Sequence, residues 1–304
     1  MMKKQICQEL AELIQQFTQQ TGSFSPTELT SLQLCRRNHS TNPMPCIYPL
    51  SLVLVVQGSQ HLNFGETVMV LEAGQTALTT VELPVVSNVL EASQHKPYLS
   101  LRIELDVMLL RELDEQIQWQ TDRSALSDSL SVFPADDDLL DAVLRYVKLL
   151  QQPQLQPYLA PLIEREIAVR LLTSEHLPML RKLLTNGTVE HNIAKIIAYF
   201  NEHYAEKIEI EQLAEMVFMS PSSLRQHFKK ITGVSPLQYQ KQRRLQHARR
   251  LMFKQHFDAT HAAFEVGYES PNQFSREYAR MFGLPPLKDI QRLKEDEMHY
   301  GRIV

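Results

Sequence analysis

Seven polar side chains set the chemistry this chain can do. Ser222, Arg225, Gln226 and Lys229 fall on one side of a helix drawn at about 100° per residue, and Asn272, Ser275 and Arg276 fall on one side of another. Guanidinium and carboxamide groups offer paired hydrogen bonds in fixed geometry, which suits the base edges of a DNA groove, while a lysine beside them suits a phosphate. The reverse sides of both stretches are apolar: Leu224, Phe228 and Ile231 in the first, Phe274, Tyr278 and Met281 in the second. One face is expected to pack and the other to reach out.

The elements that hold these side chains are written twice. Residues 220–239 read "SPSSLRQHFKKITGVSPLQY" and residues 270–289 read "SPNQFSREYARMFGLPPLKD", with Ser220/Ser270, Pro221/Pro271, Gly233/Gly283, Pro236/Pro286 and Leu237/Leu287 identical at a spacing of fifty. Serine at the N-cap, proline at the first helical position and glycine after about three turns specify the start and stop of a short helix. The preceding segments, "EQLAEMVFM" and "THAAFEVGYE", each supply a short apolar-faced helix and a turn, the second one residue longer and tight at Gly267. The pattern predicts two helix-turn-helix units. Between them, "SPLQYQKQRRLQHARRLMFKQ" predicts a long helix with Leu237, Leu245, Ala248, Leu251 and Met252 on its packed side and Lys241, Arg243, Arg244, Arg249 and Arg250 around the rest. Such a spacer is about 25 to 30 Å long, near the roughly 34 Å between successive major-groove openings. Two copies are expected because two grooves are to be read.

Charge is distributed to match. Net charge is −4 over 304 residues, but residues 220–294 hold 14 Lys and Arg against 5 Asp and Glu, while the remainder holds 17 against 30. A basic module attached to an acidic one is the footprint of a chain that rests one part on phosphates. The three cysteines, Cys7, Cys35 and Cys46, form no C-x-x-C pair, which points to a reducing cytoplasm and away from structural zinc. The opening "MMKKQICQELAELIQQ" reads as an amphipathic helix rather than a signal peptide, and the longest apolar run, "IYPLSLVLVV", falls short of the roughly 20 residues that span a bilayer.

Residues of about 193–293 resemble the DNA-binding domain of the AraC/XylS transcription regulators, and "VGYESPNQFSREYARMFGLPP" is similar to that family's second helix-turn-helix signature. Upstream, "YPLSLVLVVQGSQHLNFGE", "VELPVVSNVLEAS", "PYLSLRIELD" and "LAPLIEREIAVRLL" resemble the amino-terminal domain of one branch of the family. The resemblance implies an α+β chain: a cupin-like β-barrel with flanking helices as sensor and dimerisation domain (residues 1–180), a linker (181–190) and an all-α double helix-turn-helix domain (191–304). Matching Phe228 and Tyr278 to the family implies that Ser222, Arg225 and Gln226 read the first groove and that Asn272, Gln273 and Arg276 read the second. Lys229, Lys230 and Arg280 are expected on phosphates, along with the basic side of the connecting helix. The partners to expect are double-stranded DNA, RNA polymerase, a small-molecule effector and a second copy of the chain. The effector-binding residues and the direction of control, activation or repression, stay open.

Residues alone give the upstream half a compatible form. Short runs rich in Val, Leu and Thr between Tyr48 and Asp106, punctuated by Gly58, Gly65, Gly74 and Pro84, have the spacing of a small all-β barrel or sandwich. Leu140, Val143, Leu144 and Val147, then Leu159, Leu162, Ile163 and Ile167, recur at helical spacing. Those stripes are expected either to pair two subunits or to close the barrel within one chain.

Enzyme chemistry finds no support. His39, His61 and His95 lack the H-x-H grouping of enzymatic cupins, so no metal and no cofactor is expected; no phosphate-binding loop or nucleophile elbow is present. A DNA-repair methyltransferase of the adaptive-response type would need a Pro-Cys-His-Arg nucleophile, whereas Cys46 sits in "PCIY". A regulator without an effector, whose amino-terminal domain only dimerises, is the remaining alternative. Cys35, beside Arg36 and Arg37, and Cys46 are either redox sensors or small, partly buried residues.

Overall fold

The computed structural model describes residues 2–18, 21–117 and 129–300, the side chains of residues 296–300 excepted. It opens with α1 (Met2–Phe17), whose Ile6, Leu10, Leu13 and Ile14 are buried. Nine strands follow: β1 (Gly22–Phe24), β2 (Leu32–Arg37), β3 (Met44–Tyr48), β4 (Ser51–Gln57), β5 (Ser59–Phe64), β6 (Thr67–Glu72), β7 (Gln75–Thr79), β8 (Leu83–Glu91) and β9 (Tyr98–Glu104). After them come α2 (Val107–Gln116), β10 (Leu130–Pro134), α3 (Asp137–Lys148), α4 (Gln156–Leu172) and α5 (Leu177–Leu184).

The expected β-domain takes the form of two antiparallel sheets, of order β1-β2-β9-β4-β7-β10 and β3-β8-β5-β6. Among the described residues no ladder joins one sheet to the other. Alternation along the strands sorts the side chains. In β9, Leu99, Leu101 and Ile103 turn to one side, where they join Leu32, Leu34, Leu52 and Leu54 in a core with α1, α3 and α4. Tyr98, Ser100 and Arg102 alternate with them and line a space shared with β3, β5 and β8.

Leu140, Val143, Leu144 and Val147 of α3 lie in that helix-covered core, each at most 5% exposed. Of the two expectations for this stripe, that burial fits packing within one chain rather than a subunit contact. Six strands leave a broad apolar sheet face; α1 packs directly on it, and the α3 stripe packs on α1 and α4 in the same core. The residues expected as linker include the end of α5, whose Leu180, Leu183 and Leu184 are buried.

The second half is helical: α6 (Val189–Glu202), α7 (Ile210–Met216), α8 (Pro221–Thr232), α9 (Pro236–Lys254), α10 (Ala259–Glu265), α11 (Pro271–Phe282) and α12 (Pro286–Tyr300). The core of the first helix-turn-helix unit, with Phe200, Leu224, Phe228 and Tyr239, is continuous with the inner residues Leu62, Phe64, Leu83 and Val85 of the smaller sheet. The second unit packs around a separate core containing Leu245, Phe274 and Tyr278. No helix among the described residues is long and apolar enough to cross a membrane.

Candidate nucleic-acid interface

Both copies of the repeat form the helix their caps specify. The Ser220 hydroxyl accepts from the Ser223 amide at 3.2 Å and the Ser270 hydroxyl from the Gln273 amide at 3.4 Å. Gly233 (φ 76°) and Gly283 (φ 78°) end α8 and α11 in the left-handed conformation, their amides bonding the Lys229 and Ala279 carbonyls. Leu224, Phe228 and Ile231 are buried beneath α8, as are Phe274 and Tyr278 beneath α11. Phe282, not Met281, completes the inner stripe of α11; Met281 is half-buried and borders the smaller sheet's side of the molecule.

Ser222, Arg225, Gln226, Lys229 and Lys230 on α8, and Asn272, Gln273, Arg276 and Arg280 on α11, are all exposed. Their ties are light: Arg225 lies 3.8 Å from Glu211, and the Gln273 amide donates to Glu277 at 3.3 Å. Both helices pack on α9, which spans 19 residues, or about 28 Å.

The basic side of α9 is used differently from the expectation. Arg244 donates to the carbonyls of Tyr204, Ala205, Glu206 and Gly267, holding the α6–α7 connection against the second unit. Arg243 pairs with Glu82 of the amino-terminal half at 3.1 Å, and Lys241 with Glu277 at 3.0 Å. Arg249 is buried on Asp289. A guanidinium committed to protein acceptors is not available to phosphate, so Arg243, Arg244 and Arg249 form a structural clamp, while Lys241 and Arg250 stay exposed.

Asp289 is the site feature that sequence reading missed. Fully buried, it accepts from Arg249 Nε at 2.8 Å and Nη2 at 3.1 Å, from Arg292 at 2.8 Å and from the Tyr278 hydroxyl at 2.8 Å. The carboxylate thereby fixes α11 against α9 and α12. Its only signal in the sequence was an acidic residue in the first turn of a helix.

The outer face of α8 also borders the amino-terminal half. Gln226, Lys229 and Lys230 line a cleft of about 780 Å³ whose far wall is the β5–β6 turn and the start of β8. At its end Gly233 meets Gly65 so closely that a Cβ on Gly233 would stand 3.0 Å from the Gly65 backbone. Cys35 and Cys46 are free and half-buried; the Cys46 thiol bonds the Val85 carbonyl at 3.3 Å, and burial pushes its pKa up, away from thiolate. No cluster of three or more metal-ligating side chains occurs among the described residues.

Residues 28–179 match the family described as AraC-type transcriptional regulator N-terminus, and residues 213–292 match a helix-turn-helix domain. The HTH-type transcriptional activator RhaS of Escherichia fergusonii is 30% identical over 154 residues, 50% of this chain and 54% of RhaS. YobQ, an uncharacterized HTH-type transcriptional regulator of Bacillus subtilis, is 31% identical over 114 residues, 38% of this chain and 47% of YobQ. The chain thus spans about half the length of these curated relatives. In fold it is similar to ToxT of Vibrio cholerae bound to an unsaturated fatty acid, with a TM-score of 0.60 and 11% identity over 86% of this chain and 93% of ToxT. With its amino-terminal half matched and two capped helix-turn-helix units following it, the chain belongs to the AraC-type transcriptional regulators.

Proposed function

We propose that this chain is a sequence-specific DNA-binding regulator of transcription that reads two successive major grooves and is biased by a small-molecule effector in its amino-terminal half. One observation carries the reading: two capped helices on one spacer helix, each with an exposed row of guanidinium, amide and hydroxyl side chains. Ser222, Arg225 and Gln226 read the first groove; Asn272, Gln273 and Arg276 read the second; Lys229, Lys230 and Arg280 hold phosphates. Double-stranded DNA and RNA polymerase are the macromolecular partners, and the chain acts in the cytoplasm, without enzymatic activity. The functional division remains residues 1–180, 181–190 and 191–304. The fatty acid bound by ToxT supports an effector role for this fold. Arg276→Ala tests base reading: affinity for the cognate site falls by about 1 to 3 kcal/mol and preference flattens at one base pair. An equal loss on every sequence assigns Arg276 to phosphate instead.

Dimerisation moves from α3 to α4. Tyr158, Leu159 and Leu162 share one face of α4, with Leu155 at its N-cap, and are exposed, Tyr158 at 73% and Leu162 at 64%. Such a face suits an isologous contact with a second copy.

A further inference from the structure

Between the two sheets lies a cavity of about 210 Å³, room for a molecule of about ten non-hydrogen atoms, given that an engineered cavity of about 150 Å³ takes benzene. Its walls mix Val53, Val89 and Leu101 with several polar side chains, where a sheet-on-sheet core is ordinarily apolar throughout. Tyr98, Ser100 and Arg102 reach in from β9, Tyr48 from β3, Ser87 from β8 and Gln60 from β5. Two groups there have no hydrogen-bond partner among the described residues: Gln60 Nε2, on a residue 6% exposed, and Arg102 Nε. A buried donor left unpaired forfeits its hydration with no return, so a wall carrying two of them is complementary to something that accepts.

The balance of donors and acceptors narrows the ligand. Both orphaned groups are donors, both charged residues of the wall, Arg37 and Arg102, are cations, and no Asp or Glu lines the cavity, although Arg102 Nη2 also pairs with Glu104 outside it at 3.2 Å. Burial holds the Tyr48 and Tyr98 phenols above their ordinary range, so they too stay protonated and able to donate. A neutral polyol brings hydroxyl hydrogens that need acceptors of their own; a carboxylate only accepts, and its bonds to a guanidinium are charge-assisted.

We propose that this cavity binds a small carboxylate, its oxygens held by Gln60 Nε2 and Arg102 Nε. The proposal deepens the effector reading above and rests on it for its regulatory role. Arg37, Thr41 and Met44 line this cavity and also the cleft of about 500 Å³ between the β2–β3 connection and the second helix-turn-helix unit. On that side Arg249 Nη1 lies 3.6 Å from the Met44 sulfur, and Gln246 donates to the Pro45 carbonyl at 2.9 Å. One short segment therefore meets the ligand on one flank and α9 on the other, which is the path by which occupancy reaches the DNA-binding half.

The test is titration of the full-length protein with 2-oxobutyrate and 2-hydroxyhexanoate, and with their neutral amides, by calorimetry and thermal unfolding. Both acids should bind and raise Tm with concentration, the amides at least tenfold more weakly. Gln60→Leu replaces an orphaned donor with an apolar group of similar size and should stay folded, yet weaken both acids at least tenfold; Arg102→Gln should do the same. Amides that bind as well as acids, a Gln60→Leu variant with unchanged affinity, or a cavity that holds only ordered water and gives no heat with either acid would each overturn the proposal. DNA affinity measured with and without acid separates the two readings. Acid binding that depends on Gln60 but leaves DNA affinity unchanged upholds the site and overturns its role as an effector site.

Discussion

The two oxygens of Asp289 answer four donor contacts from three side chains on three helices. Removing that carboxylate leaves the Arg249 guanidinium, 5% exposed, as an uncompensated interior charge, a change that costs about 3 to 5 kcal/mol. Denaturant unfolding of Asp289→Ala should show that loss, with DNA binding by α11 failing while the base-reading residues remain in place. A second residue ties stability to pH. His176 is buried between the Thr76 and Ser131 hydroxyls, and desolvation lowers its pKa to about 4. Its depressed pKa means the unfolded chain binds the extra proton first, so stability is full near pH 7 and declines as pH falls from about 6.5 towards 4, by up to about 3 kcal/mol. Unfolding curves across that range should be flatter for His176→Gln than for the unaltered chain. At this scale the caps were legible, because Ser220, Gly233 and their repeats act on neighbours in the chain. Asp289 was not, because Arg249 lies forty positions away and nothing local couples them.

Helix α9 shows what a pattern of charges can and cannot reveal. Its length and most of its apolar side follow from the sequence, but Leu237, expected on the packed side, is exposed, and Tyr239 packs in its place. The destinations of its cations do not follow, since Arg243, Arg244 and Arg249 find acceptors on elements that no periodicity relates to them. Phosphate contact can be assigned by salt dependence. Lys230→Ala, on the exposed side of α8, should lower the slope of log affinity against log salt by about one unit, whereas Arg243→Ala, paired to Glu82, should leave it unchanged. Salt titrations of both variants on one duplex make the comparison. Helix α3 repeats the lesson with apolar residues. Its stripe was plain, yet a stripe does not name its partner, and α1 and α4 of the same chain took it.

At the scale of the whole molecule, the amino-terminal half was legible as short strands followed by helices, but its division into six strands and four was not, because alternation along β9 fits either a barrel or two facing sheets. Assembly is decided at this scale too. Replacing Tyr158 and Leu162 by Asp on the exposed face of α4 should convert a dimeric mass to a monomeric one in light scattering without loss of fold; a protein that is monomeric before the change removes α4 as an interface. The meeting of Gly65 and Gly233 has a different consequence. Both residues hold left-handed backbone, at φ 58° and 76°, and the Phe64 ring lies beside them, 3.4 Å from where a Cβ on Gly233 would stand. Every substitution available at either position adds bulk. Mutation there acts as a wedge between the end of α8 and the β5–β6 turn, so a contact looser than those at Gly58 and Gly267 is still one at which a single added methyl group strains the junction of the two halves.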